Sequence, residues 1–83
     1  MTKTQAQKIA SMLKRRFGGK VEFEKLIDSK NYRFAITSKQ FEKMTQLGRQ
    51  DAVWAAIDEE ISRDVLVDIS LILTYAPKEL ILA

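Results

Sequence analysis

The chain has neither cysteine nor histidine. Without cysteine there are no disulfides, thiol redox chemistry, thiolate metal ligands or cysteine nucleophiles. Without histidine the commonest acid–base group near neutral pH is missing, so catalysis would fall to carboxylates, Lys, Ser, Thr or Tyr. No Ser–His pair, Gly-rich phosphate loop or Lys-based motif accompanies those groups, and no enzyme is expected. One proline and three glycines in 83 residues leave little room for linkers or low-complexity segments. No apolar run reaches the ~18 residues that a membrane span needs, and the start "MTKTQAQKIASMLKRR" has no apolar signal core, so a cytoplasmic chain is expected.

What is present is the composition of a folded domain, with 46% hydrophobic and 30% charged residues. At this length residues 1–83 form one domain of at most two packed layers. The net charge of +3 is unevenly spread. Residues 1–49 hold twelve Lys/Arg against four Asp/Glu, a net +8; residues 50–83 hold two against seven, a net −5. Such asymmetry fits a basic face for nucleic acid or an anionic surface beside an acidic face for a basic partner. It equally fits two halves that interleave once folded.

Thr4 with Gln7 resembles a capping box, and Ala6, Ile9, Ala10, Leu13 and Phe17 recur at helical spacing up to Gly18-Gly19. Val21 and Phe23 then alternate with Glu22 and Glu24 as in a half-buried strand. Asp28 to Asn31 reads as a turn, after which Tyr32, Phe34 and Ile36 return as the second strand of a hairpin. Phe41, Met44 and Leu47 suit a short helix stopped by Gly48. Asp51 opens a longer, acidic third helix whose Val53, Trp54, Ile57 and Ile61 share a face. The run "VLVDISLILTY" reads as a third strand, ended by Pro77 before a short tail.

The expected class is α+β: a two-layer α/β sandwich of order α-β-β-α-α-β. The crossover through two helices makes strands two and three parallel, giving a three-stranded mixed sheet with helices on one face. An edge position for the third strand would make it a candidate for pairing with another chain.

Three stretches carry a family resemblance. "RFAITSKQF" is similar to a strand ending in serine before a helix with an early Phe; "GRQDAVWAAIDEEIS" to an Arg-His-Arg lead-in followed by an apolar and acidic helix; "LILTYAPKEL" to a strand ending in a Thr-rich turn with Lys-Glu. Their order and spacing resemble the BolA-like family, within the type II KH-like group. The resemblance implies a small regulatory protein that binds DNA through a helix-turn-helix-like surface, or that pairs with monothiol glutaredoxins around an iron–sulfur cluster. Where that family places a ligand histidine, this chain carries Gln50 between Arg49 and Asp51, and a compact turn replaces the longer loop that often holds a further ligand. Glutamine is a poor iron ligand beside imidazole or thiolate, which argues against cluster sharing.

Read from the residues, the nucleic-acid candidates are Lys14, Arg15 and Arg16 on the first helix and Lys39, Lys43, Arg49 and Gln50 around the second. Lys39 and Lys43 stand four apart on one helical face, with Arg49 at the glycine turn. Each phosphate contact would make binding fall with salt. Gly48 lacks the second glycine of a KH-type Gly-x-x-Gly loop. Trp54 is a core residue or a stacking platform for a base. Glu59-Glu60 and Asp64-Asp68 could be imagined around a hard cation, but neighbours on a helix diverge by about 100 degrees, and no cofactor or metal is expected. The alternative role is a protein-interaction or homo-oligomerisation adaptor using the acidic third helix and the third strand's edge.

Overall fold

A computed structural model describes residues 1–81, with side chains through Glu79. Helix α1 (Lys3–Phe17) begins at a capping box two residues earlier than the Thr4 pattern suggests. Thr2 Oγ1 accepts from Gln5 N–H while the Gln5 side chain accepts from Thr2 N–H. That pair satisfies donors the helix would otherwise leave open. Ala6, Ile9, Met12, Leu13 and Phe17 form its buried stripe. Gly18 ends it, donating its N–H to Lys14 O. Gly18 and Gly19 both take positive φ, and a Cβ on Gly19 would lie 2.0 Å from Thr37 O. Only glycine lets the chain turn this tightly against the end of the second strand.

Strand β1 (Lys20–Lys25) pairs antiparallel with β2 (Tyr32–Thr37), placing Phe23 opposite Phe34. Tyr32, Phe34 and Ile36 are buried beneath the helices, while Arg33, Ala35 and Thr37 face the other way. The Asp28 turn is made with a positive φ at Asp28 itself. Strand β3 (Ile69–Tyr75) lies parallel to β2, with a bulge between Tyr32 and Arg33, so the sheet order is β1-β2-β3 and β3 is an edge.

Between β2 and β3 the helix boundaries differ from expectation. Ser38 caps a single 3-10 turn (Lys39–Phe41) in place of a helix reaching Leu47. One continuous helix, α2 (Gln46–Glu60), then runs through Gly48 and Asp51. Its cap is Thr45, whose Oγ1 accepts from Gly48 N–H at 3.1 Å. Gly48 thus supplies the capped N–H and is not a stop, and Asp51 lies inside the helix. Arg49, Val53, Ala56 and Ile57 form the buried face, a wider stripe than the apolar pattern alone displays. A short α3 (Arg63–Leu66) takes the place of the first residues assigned to the strand, because Ser62 opens a helical turn before Val67. Beyond β3, Pro77 starts α4 (Pro77–Ile81), and the last two residues of the expected tail lie outside the described residues. The core is continuous across the layers: Phe34, Ile36, Phe41, Val53 and Ile57 are fully buried, and Phe17 meets Phe41 at 5.5 Å between ring centroids.

Candidate nucleic-acid interface

At the end of the sheet where β2 and β3 finish, the last turn of α1 meets the 3-10 turn that carries Lys39. Ser38 Oγ donates to Phe17 O at 2.6 Å, tying the last turn of α1 to the 3-10 turn. Lys14, Arg15 and Arg16 therefore precede the same junction that Lys39 and Lys43 follow. A groove of about 510 Å³ opens there, lined by Phe17, Gly18, Gly19, Thr37, Ser38 and Pro77, with Lys20 and Lys39 among its walls. None of its lining residues is acidic.

The candidate residues divide into three groups. Lys14, Arg15, Lys39 and Lys43 are exposed and make no ion pair among the described residues. Lys14 borders β1 beside Val21 and Phe23, whereas Arg15 borders the end of α2 beside Glu60, so the two flank opposite sides of α1. Arg16 is spoken for: its guanidinium meets Glu59 at 3.1 Å and Glu60 at 3.7 Å.

Arg49 and Gln50 are the correction. Arg49 is 3% exposed, with its guanidinium turned inward over the Phe41 ring. Its Nε donates to Phe41 O at 3.0 Å, and its two terminal nitrogens donate to Glu79 at 2.8 and 2.9 Å in a bidentate pair. A weaker bond at 3.4 Å reaches Thr74 O. The pairing raises the Arg49 pKa against the opposing effect of burial, and it holds the Glu79 carboxyl down to about 2, helped by the Ala76 N–H. Four of the five N–H donors of this buried guanidinium are taken, so presenting it to a phosphate means dismantling the joint between α2 and α4. Gln50 is likewise engaged: its Nε2 donates to Ile72 O at 2.8 Å and its Oε1 accepts from Trp54 Nε1 at 3.2 Å. That bond and partial burial against the core answer the choice for Trp54 in favour of packing.

Sequence reasoning missed Lys20, whose place beside Lys39 depends on the tight Gly18-Gly19 turn, and Glu79, which lies thirty residues from Arg49. The Lys-Glu of "APKEL" marks the turn but nothing local reveals its partner. No group of three His, Cys, Asp or Glu able to hold a metal occurs among the described residues, and none of their helices is long and apolar enough to cross a membrane.

Comparison with known proteins rests on structure. No protein-family model matches the sequence, and no curated protein does. Among solved structures, BolA1 from Arabidopsis thaliana superposes with a TM-score of 0.71 over 94% of this chain and 98% of that one, at 19% identity. The BolA domain of SufE1 from the same plant gives 0.71 over 95% and 99%, at 15% identity. The fold is BolA-like. In this BolA-like frame the "GRQD" stretch lies within the first two turns of α2, and its Arg and Gln side chains serve the fold.

Proposed function

We propose that this BolA-like chain is a small non-catalytic module that binds nucleic acid weakly through the basic end of the sheet. The observation that carries the reading is the groove beside Lys39 and Lys20, free of carboxylates in its lining although Lys20 Nζ pairs with Glu22 at 3.0 Å, together with the exposure of Lys14, Arg15 and Lys43 elsewhere on the surface. Phe17 in its wall is buried and offers little ring surface, so contact falls mainly on the phosphate backbone, with little sequence preference. Three phosphate contacts would make affinity drop about 20–40-fold between 50 and 200 mM salt. Fluorescence anisotropy with a labelled oligonucleotide at those two concentrations tests this: weak, salt-sensitive binding is expected, and no binding at low salt overturns it.

A second reading has its own observation. The β3 edge, "ISLILTY", carries no charged residue, while the opposite edge, "KVEFEK", is charged at four of six positions. Edges that must stay single are commonly charged, so the uncharged one supports a role in pairing with protein.

A further inference from the structure

Of the four Phe, two Tyr and one Trp, all but Tyr75 have a partner for the ring or its polar edge. Phe17 meets Phe41, Phe23 meets Tyr32 and Phe34, and Trp54 Nε1 donates to Gln50. Among the described residues the Tyr75 ring faces no other ring and its hydroxyl makes no hydrogen bond. Its orientation follows from its neighbours on β3. Thr74 Oγ1 donates to Gln46 Oε1 at 3.2 Å and Ile72 lies in the core, so both side chains face the helices. By alternation Leu71, Leu73 and Tyr75 face the uncovered side of the sheet, where Tyr75 is half-buried. Register then sets Lys20 beside Thr37 and Thr37 beside Tyr75, one row across that open face. Lys20 and Thr37 line the groove already described, as does Pro77, two residues beyond Tyr75. The unpartnered ring therefore adjoins the groove.

We propose that Tyr75 is a base-stacking subsite beside the groove, so that the nucleic acid of the reading above, on which this rests, is a single strand of DNA or RNA. Within the groove Phe17 is buried and offers little ring surface; Tyr75 supplies on the open face what the groove lacks. The flat face of a base is available to a protein ring only where the strand is unpaired, since a duplex keeps it stacked between its neighbours. A phosphate at Lys39 leaves the adjoining base to fall on Tyr75. The carboxylates of the open face do not intervene. Glu22 pairs with Lys20 at 3.0 Å and Glu24 pairs with Arg33. Both stand on β1, two strand spacings or about 10 Å from β3. The β3 side of the face is otherwise Leu71 and Leu73, without charge. Stacking accepts any base, which agrees with contact of little sequence preference.

Fluorescence anisotropy of the full chain at about 50 mM salt decides this. A labelled single strand is competed by unlabelled single-stranded DNA, by single-stranded RNA, by the duplex of the same sequence and by an abasic strand of the same length. Both single strands should outcompete the duplex and the abasic strand by about fivefold or more. Tyr75→Leu should lower single-strand affinity about 5–100-fold, down to the duplex level, and Tyr75→Phe, which keeps the ring, should restore it. Circular dichroism checks that each variant folds; if Tyr75→Leu does not, the abasic strand on the parent carries the test. A duplex or abasic strand that competes as well as the single strands, or a folded Tyr75→Leu that binds as the parent does, overturns the stacking site while salt-sensitive binding through the cations stands. If none of these nucleic acids binds, the nucleic-acid reading itself falls and the stacking site with it.

Discussion

Arg49 shows how one side chain can change meaning between sequence and structure. As a lone basic residue after a glycine it reads as a phosphate contact; folded, it joins the 3-10 turn, β3 and α4 through Phe41 O, Thr74 O and Glu79. Arg49→Ala removes the donor shared by Phe41 O, Thr74 O and Glu79, though Met44 N–H still serves Phe41 O and Ala76 N–H still serves Glu79, and should lower stability by about 1–3 kcal/mol in urea unfolding while leaving the exposed cations in place. Glu79 adds a pH signature. Its folded pKa, about 2, lies below its ordinary value near 4.5, so its contribution is full above that value and is lost as pH falls toward 2. Glu79→Gln should therefore destabilise the protein at neutral pH and flatten the fall in stability between pH 4.5 and 2. A parent and variant with parallel pH profiles would contradict the pairing. Gly19 sets a different kind of limit: Gly19→Ala drives a Cβ into Thr37 O at positive φ, so it should cost several kcal/mol, about 3 or more, in thermal unfolding.

At the scale of elements, most of what the hydrophobic pattern could carry was legible. The first helix's core stripe, the β1–β2 hairpin and the parallel third strand all follow from periodicity and connection rules, because each buries one face against a single neighbour. The region from Ser38 to Asp51 misled for a stated reason. Gly48 and Asp51 are residue types that end and begin helices, yet here Thr45 has already supplied the cap and α2 continues through both. The buried face of α2 was obscured because it starts with a charged residue, Arg49, whose partner is supplied by a helix after β3. Likewise nothing local signals that Gln50 would reach a strand carbonyl 22 residues away. The cap assignment has a direct test. Thr45→Ala should cost about 1 kcal/mol, whereas Asp51→Ala should stay within about 0.5 kcal/mol in chemical denaturation. A larger effect at Asp51 would restore the two-helix reading.

Across the whole molecule, charge sorts by position rather than by sequence half. Part of the basic first half meets the acidic second half directly, with Glu59 and Glu60 against Arg16 and Glu79 against Arg49. What remains unpaired among the described candidates is the proposed set of Lys14, Arg15, Lys39 and Lys43, of which Lys39 lines the groove while Lys14 and Arg15 flank opposite sides of α1. Arg49 and Gln50, despite their place in the stretch that resembles a functional turn, belong to the scaffold and to the β3 edge. The most direct test is oligonucleotide binding at 50 mM salt by the parent, by a Lys14→Glu/Lys39→Glu/Lys43→Glu variant and by Gln50→Ala, each verified as folded. The account predicts that the triple charge reversal weakens binding by about 20-fold or more and that Gln50→Ala leaves it within about twofold. Binding that survives the charge reversal, or that collapses with Gln50→Ala alone, would contradict it.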